Sequence, residues 1–200
     1  MKNRILKSVA AIMAICAATI AYAQSSNLAP VTQMSSELEM SPYLPLGQES
    51  LCRLDWQGEQ ILGNLLIYDE NTPAFIGKDA FPLPNGEKIT PVIEREFSRH
   101  TLETTTVATV NLPKGVSWYG LPLARVNTGI LQRDESDGYE WREFTIGMPA
   151  VKVRQTLRSI GEDVPISPLY RIIEAEDRCS GTAYLEDKGS SSVLHCGWGC

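Results

Sequence analysis

Three cysteines, Cys179, Cys196 and Cys200, fall within the last 22 residues of this 200-residue chain, and a fourth, Cys52, stands far upstream. If all four are oxidised, at least one bridge must involve the C-terminal tail, which restricts the fold more than any other feature. Their redox state depends on the compartment, and the first residues bear on that. Lys2, Arg4 and Lys7 make a basic head, Val9 to Ile20 carries no charge, and Ala21-Tyr22-Ala23 places small residues around a larger one before Gln24. That succession is the pattern of a secretory signal peptide. Residues 1–23 are therefore expected to be a signal cleaved after Ala23, with delivery to a periplasm. The apolar run is short of the ~20 residues that a spanning helix needs, which disfavours a retained transmembrane anchor. Cys16 lies within the signal behind the bulky Ile15, where a lipoprotein signal wants a small residue, and is expected to leave with it.

An even number of cysteines in an oxidising compartment reads as two disulfides, and Cys52, Cys179, Cys196 and Cys200 allow three pairings. One bridge from Cys52 to a C-terminal hairpin is the favoured arrangement. A metal site is disfavoured, because there is no C-x-x-C pair and because His195 and Cys196 point to opposite faces if that stretch is a strand. No metal ligand is assigned. A catalytic cysteine working with His100 or His195 is the minority reading for four exported cysteines.

Removal of the signal leaves 177 residues with 15 basic and 24 acidic side chains, a net charge of −9. Such a surface repels nucleic acid and anionic lipid and favours a basic protein as partner. There is no G-x-S-x-G elbow, H-E-x-x-H pair, phosphate-binding loop or dinucleotide fingerprint, so no catalytic residue and no cofactor is assigned. The expected function is that of an exported, non-catalytic binding protein, an inhibitor or immunity-type protein that neutralises a partner enzyme or toxin. The alternatives are a hydrolase using carboxylates or an unpaired cysteine, and a structural envelope component docking through residues 24–47. Oligomeric state is not readable.

Residues 24–47 are polar and broken by Pro30, Pro42 and Pro45, and read as a flexible leader. Residues 48–200 read as a single globular α+β domain, mostly antiparallel sheet with one or two helices and a disulfide-stapled C-terminal hairpin. Cys52, Leu54 and Trp56 alternate with charged residues as in a half-buried strand, Gln57-Gly58-Glu59 reads as a turn, and Ile61 to Tyr68 as the returning strand. Pro91 to Leu102 fits helix and strand alike, whereas Thr104 to Leu112 is rich in β-branched residues. Ala124–Gln132 and Tyr139–Ile146 flank an acidic turn as a hairpin. Along the second strand Tyr139, Trp141, Glu143 and Thr145 face one way and Glu140, Arg142, Phe144 and Ile146 the other, with neither face plainly apolar. Pro149 opens a helix that buries Ala150, Val153, Leu157 and Ile160 and stops at Gly161. Leu169 to Ala175 is a strand, and Thr182–Leu185 with Ser192–Cys196 forms a last hairpin around Lys188-Gly189.

Ile146-Gly147-Met148 followed by Val151 to Leu157 resembles the helix entry of small outer-membrane assembly lipoproteins and β-lactamase-inhibitor-like modules. The resemblance covers about a dozen residues and implies a sheet-and-helix module, with no functional residue carried over.

Three segments are candidate sites. Asp134, Ser136, Asp137 and Glu140 crowd one turn with oxygen ligands, although the spacing of a calcium loop is incomplete. In Cys196-Gly197-Trp198-Gly199-Cys200, two glycines and flanking cysteines present Trp198 as a rigid partner-binding anchor; the bland alternative is that Trp198 covers a disulfide. Trp118 and Tyr119, between Gly115 and Pro122, are a second aromatic candidate for partner binding, or a plug for the sheet.

Overall fold

The computed structural model describes residues 38–46, 52, 54, 56–72, 74–133, 138–174 and 180–199. The chain divides into two units, Met1–Ser35 and Ser36–Cys200, and every described residue belongs to the second. The expected signal, the acidic turn at residues 134–137, Cys179 and Cys200 lie outside the described residues.

In chain order the elements are β1 (Leu38–Glu39), α1 (Trp56–Gly63), β2 (Ile67–Asp69), β3 (Ala74–Ile76), β4 (Phe81–Pro82), β5 (Lys88–Ile89), β6 (Val92–Ser98), β7 (Glu103–Asn111) and β8 (Val116–Trp118). After them come β9 (Leu121–Gln132), β10 (Gly138–Ile146), α2 (Ala150–Ser159), β11 (Arg171–Glu174), β12 (Ser180–Asp187) and β13 (Ser192–Gly199). The principal sheet runs β6-β7-β9-β10-β13-β12-β11, antiparallel throughout. The first residues of β9 pair instead with β8, which carries β1 in parallel. The α+β expectation therefore holds in outline, with one parallel pair in a mostly antiparallel sheet.

The core lies on one face of this sheet. β7 turns Thr106, Ala108 and Val110 inward, β10 turns Phe144 and Ile146, β12 Ala183 and Leu185, and β13 Leu194 and Cys196. The undecided faces of β10 are thus resolved: the set with Phe144 and Ile146 is inside. The buried phase of β9 slips where Thr145 pairs with Arg125 but Ile146 pairs with Leu123, a bulge that leaves Ala124 and Arg125 both outside. Helix α2 lays Ala150, Val153 and Leu157 on the inner face, and Gly161 (φ 95°) ends it while the Glu162 N–H donates to the Leu157 carbonyl at 2.9 Å. Ile160, expected on that buried face, is 43 % exposed because it falls beyond the last regular turn. The ambiguous stretch before β7 is strand, since it pairs with β7 from Val92 to Ser98.

Two expectations are corrected. Residues 56–63, read as strand end, turn and strand, form α1. Leu62 is buried, Gly58 packs so closely on Leu54 that an added Cβ would lie 2.8 Å from the Leu54 Cβ, and Trp56 is 79 % exposed. Packing of the 58/62 face overrides the local alternation, and Trp56 is no core residue. The described end of the supposed flexible leader, residues 38–46, is built into the fold. Met40 and Leu44 are fully buried, and the Met40 N–H donates to the Ser117 carbonyl at 2.7 Å. The Glu39 carboxylate accepts from the N–H groups of Ser41 (3.0 Å) and Tyr119 (2.7 Å) and from the Ser117 hydroxyl; burial pushes its pKa up, but the bonds from Ser117, Ser41 and Gly120 outweigh it and hold the group below the usual carboxylate range.

Cys52 is bridged to Cys196 across 144 residues of sequence. This is the expected link between the start of the domain and the C-terminal hairpin.

Candidate functional site

The aromatic segment Trp118-Tyr119 is structural. Trp118 is completely buried, stacks on Phe144 with ring centroids 4.9 Å apart, and donates its indole N–H to the Leu44 carbonyl at 2.8 Å. Tyr119 is half-buried and its hydroxyl accepts the Leu46 N–H at 2.9 Å. Both rings therefore fasten residues 38–46, and Trp118 presents no surface to a partner.

Trp198 sits on β13, in extended chain and not in a strained loop. Arg142 lies over its ring, 5.0 Å from the centroid, and forks onto Glu59, Nη1 to Oε1 at 2.7 Å and Nη2 to Oε2 at 2.5 Å. This explains a buried arginine on the core face of β10: its charge is paired and its plane is stacked. Trp198 forms one wall of a 240 Å³ cleft with Leu54, Glu59, Glu140 and Arg142. It is a wall more than a protruding anchor.

The glycines beside Trp198 serve the opposite face of the sheet. A Cβ on Gly197 would lie 1.7 Å from the Tyr139 hydroxyl oxygen, one on Gly199 would lie 3.1 Å from the Tyr139 ring, and one on Gly129 would lie 2.2 Å from the Trp141 ring. Tyr139 leans across β13 and Trp141 across β9, both flat on backbone that only glycine leaves bare. Their planes differ by 23°, with centroids 6.1 Å apart.

Beyond this aromatic tile the register places Asn127, Glu143, His195 and Tyr184 in one row across β9, β10, β13 and β12. His195 Nδ1 faces Glu143 Oε1 at 3.1 Å and its Nε2 faces Glu186 Oε2 at 3.3 Å. Tyr184 stacks on the imidazole at 4.5 Å, and Asn127 Nδ2 donates to Glu143 Oε2 at 2.9 Å. Burial pulls the His195 pKa down, yet the hydrogen bonds and charges of Glu143 and Glu186 outweigh it and leave the value raised. The bond from His195 in turn holds Glu143 below the usual carboxylate range. Tyr184 is pushed up, first by burial and then by the nearby carboxylates.

Tyr139, Trp141, Glu143, Tyr184 and His195 line an open concavity of about 320 Å³, with Leu131 and Thr182 completing its walls. Its aromatic floor and few fixed polar groups have the character of a ligand site. His195 was weighed in the sequence only as a metal or cysteine partner. The readable signal was the alternation Tyr139, Trp141, Glu143, which needed the pairing of β10 with β13 to acquire meaning. Cys196 is bridged and turns to the core, so it is no partner for His195. Among the described residues no group of three or more His, Cys, Asp and Glu side chains is placed to hold a metal ion. His195 stands between its two carboxylates, whose bonds leave the ring in opposite directions.

Comparison with protein-family models, with curated proteins and with solved structures returned no match.

Proposed function

We propose that this chain is an exported, non-catalytic binding protein that recognises its ligand on the open face of the sheet, around Tyr139, Trp141, Glu143 and His195. The observation that carries this reading is the state of His195. Both ring nitrogens are committed to carboxylates, so neither is available to take a proton from Thr182 or Tyr184 in the same concavity. Glu143, held ionised and already accepting from Asn127 and His195, is a poor general acid. Cys52 and Cys196 are spent in a disulfide. The side chains are fixed by one another, which suits recognition, since little ordering remains to be done on binding. The test immobilises residues 24–200 and passes envelope extract over them at low salt. A retained ligand that is lost with Trp141→Ala is expected; retention of nothing, or retention indifferent to Trp141, refutes the reading.

A narrower form of the proposal is favoured by charge. The net −9 of the mature chain steers the encounter with a basic protein, as an inhibitor or immunity-type protein facing a basic enzyme or toxin requires. Export to a periplasm belongs to the same proposal. Its mark is a captured basic protein whose association rate falls steeply as salt rises.

A further inference from the structure

We infer that the open-face concavity is a saccharide site, with the ring of a neutral sugar stacked on the Tyr139–Trp141 tile and its hydroxyls taken by Glu143 and Thr182. The inference rests on the reading of that face as the binding face and adds the chemical class of the ligand.

Three features of the site point to a sugar. First, the two rings are nearly parallel, 23° apart with centroids 6.1 Å from each other, and they cover the bare backbone of Gly129 and Gly197. Backbone lies against each ring at Gly197 and Gly129, and both rings border the open concavity. The negative face of an aromatic ring attracts the slightly positive C–H bonds that a pyranose presents on its broad side.

Second, the lining is close to electrically neutral. Among the described residues, the charged groups of the lining are the Glu143 carboxylate and the His195 imidazole that pairs with it. Nearby, the second carboxylate, Glu186 on β12, also carries Lys188, and Arg125 on β9 is turned to Asn111 at 3.0 Å. An arginine or lysine side chain placed here would find no unpaired carboxylate among the described residues of the lining, and burying it would cost desolvation without a counter-charge. A neutral polyol makes no such demand. The −9 of the mature chain is spread over the whole surface and acts on approach, whereas the concavity selects at contact.

Third, the polar atoms are held in place. Glu143 is fixed by Asn127 and His195, and His195 by Glu143, Glu186 and the Tyr184 ring. Carboxylate oxygens with remaining lone pairs, beside a threonine hydroxyl, offer acceptors and a donor in one small area. Neighbouring hydroxyls of a sugar need that mixture. The volume of about 320 Å³ is at the small end of ligand sites, roughly 300–1,000 Å³, which fits one or two sugar rings.

The test follows the indole N–H resonance of Trp141 in residues 24–200 by NMR. The probes are neutral trisaccharides (β-1,4-linked glucose, β-1,4-linked N-acetylglucosamine and α-1,4-linked glucose), soluble glycan fragments from an envelope digest, and a tri-arginine peptide. The expected result is a saturable shift of Trp141 with at least one glycan, the same at low and high salt, with the buried Trp118 indole unmoved. Trp141→Ala and, separately, Glu143→Gln should each weaken that glycan's binding at least tenfold, with the Trp118 resonance reporting an intact fold in both. No shift with any glycan overturns the inference, and so does a salt-sensitive shift with tri-arginine alone. If every glycan fails while Trp141→Ala still abolishes capture from envelope extract, the saccharide assignment falls and the binding face stands. If both fail, the binding reading falls too.

Discussion

Replacing Glu59 by glutamine keeps the side chain's shape and removes its charge, leaving Arg142 without the carboxylate onto which it forks. The Arg142 side chain is 10 % exposed and the Glu59 side chain 34 %. Removing one member of a fully buried pair costs about 3–5 kcal/mol, because the other charge is left buried. Water reaches Glu59 in part, and the amide oxygen of glutamine still accepts one bond from the guanidinium. Both reduce the loss, so the expected destabilisation is about 2–3 kcal/mol. The assay is urea unfolding of residues 24–200 followed by circular dichroism. With a slope of about 2 kcal/mol per molar urea, the midpoint falls by roughly 1–1.5 M. Arg142→Met keeps an unbranched apolar stem over Trp198 and leaves Glu59 near water, so it costs less than Glu59→Gln. The double variant should be more stable than the sum of the two losses, by about 1–2 kcal/mol of coupling. A midpoint shift below about 0.3 M for Glu59→Gln, or strict additivity in the double variant, would refute the buried fork.

The other predictions are briefer. Cys52→Ser with Cys196→Ser opens a loop of 144 residues, for which the entropic model gives a loss of up to about 5 kcal/mol; a loss under about 1 kcal/mol would mean the bridge does not restrain the unfolded chain. Cys179 and Cys200 are the cysteines of residues 24–200 that the Cys52–Cys196 bridge leaves, and the expected second bridge predicts no titratable thiol in unreduced residues 24–200 under denaturant. His195 has a raised pKa, so its contribution to stability is complete below about pH 6.5 and is lost as pH rises through the raised value, while the lowered Glu143 contributes above about pH 4.3 and is lost on acidification. The urea midpoint of the wild type should therefore fall relative to His195→Gln between pH 6 and pH 9; parallel curves would sink the ion-pair account. Gly197→Ala must displace the Tyr139 ring, since the new Cβ would lie 1.7 Å from its hydroxyl oxygen, and should cost about 1–3 kcal/mol, most of it recovered when Tyr139 is also made alanine.

Elements whose pattern agreed with their packing were legible. The β9–β10 hairpin, helix α2 and the final hairpin carried turn residues and spacing that tertiary contacts did not overrule. Helix α1 was hidden because Cys52, Leu54 and Trp56 mimic strand alternation, and because Gly58 and Leu62 are the only residues of that helix fully turned inward. Residues 38–46 read as leader because their attachment comes from bonds between groups 73 to 80 positions apart in the chain, Glu39 with Tyr119, Leu44 with Trp118 and Leu46 with Tyr119. The candidate site was invisible for the same reason. Tyr139, Trp141 and Glu143 are spaced two apart on one strand, yet their meaning depends on Gly197, His195 and Gly129 on neighbouring strands. For Trp118 and Trp198 the sequence leaves partner binding and a structural role both open, because a linear pattern shows an aromatic residue near glycines and cannot show which face of a sheet it takes.

The central claim is that ligands meet this protein on the open sheet face. The most direct measurement is oxidative footprinting of residues 24–200 with and without envelope extract, read residue by residue by mass spectrometry. Trp56, 79 % exposed on α1, serves as the internal control. Protection of Tyr139, Trp141 and Tyr184 with unchanged oxidation at Trp56 is the predicted result. Unchanged oxidation across the open face, with protection elsewhere, would contradict it.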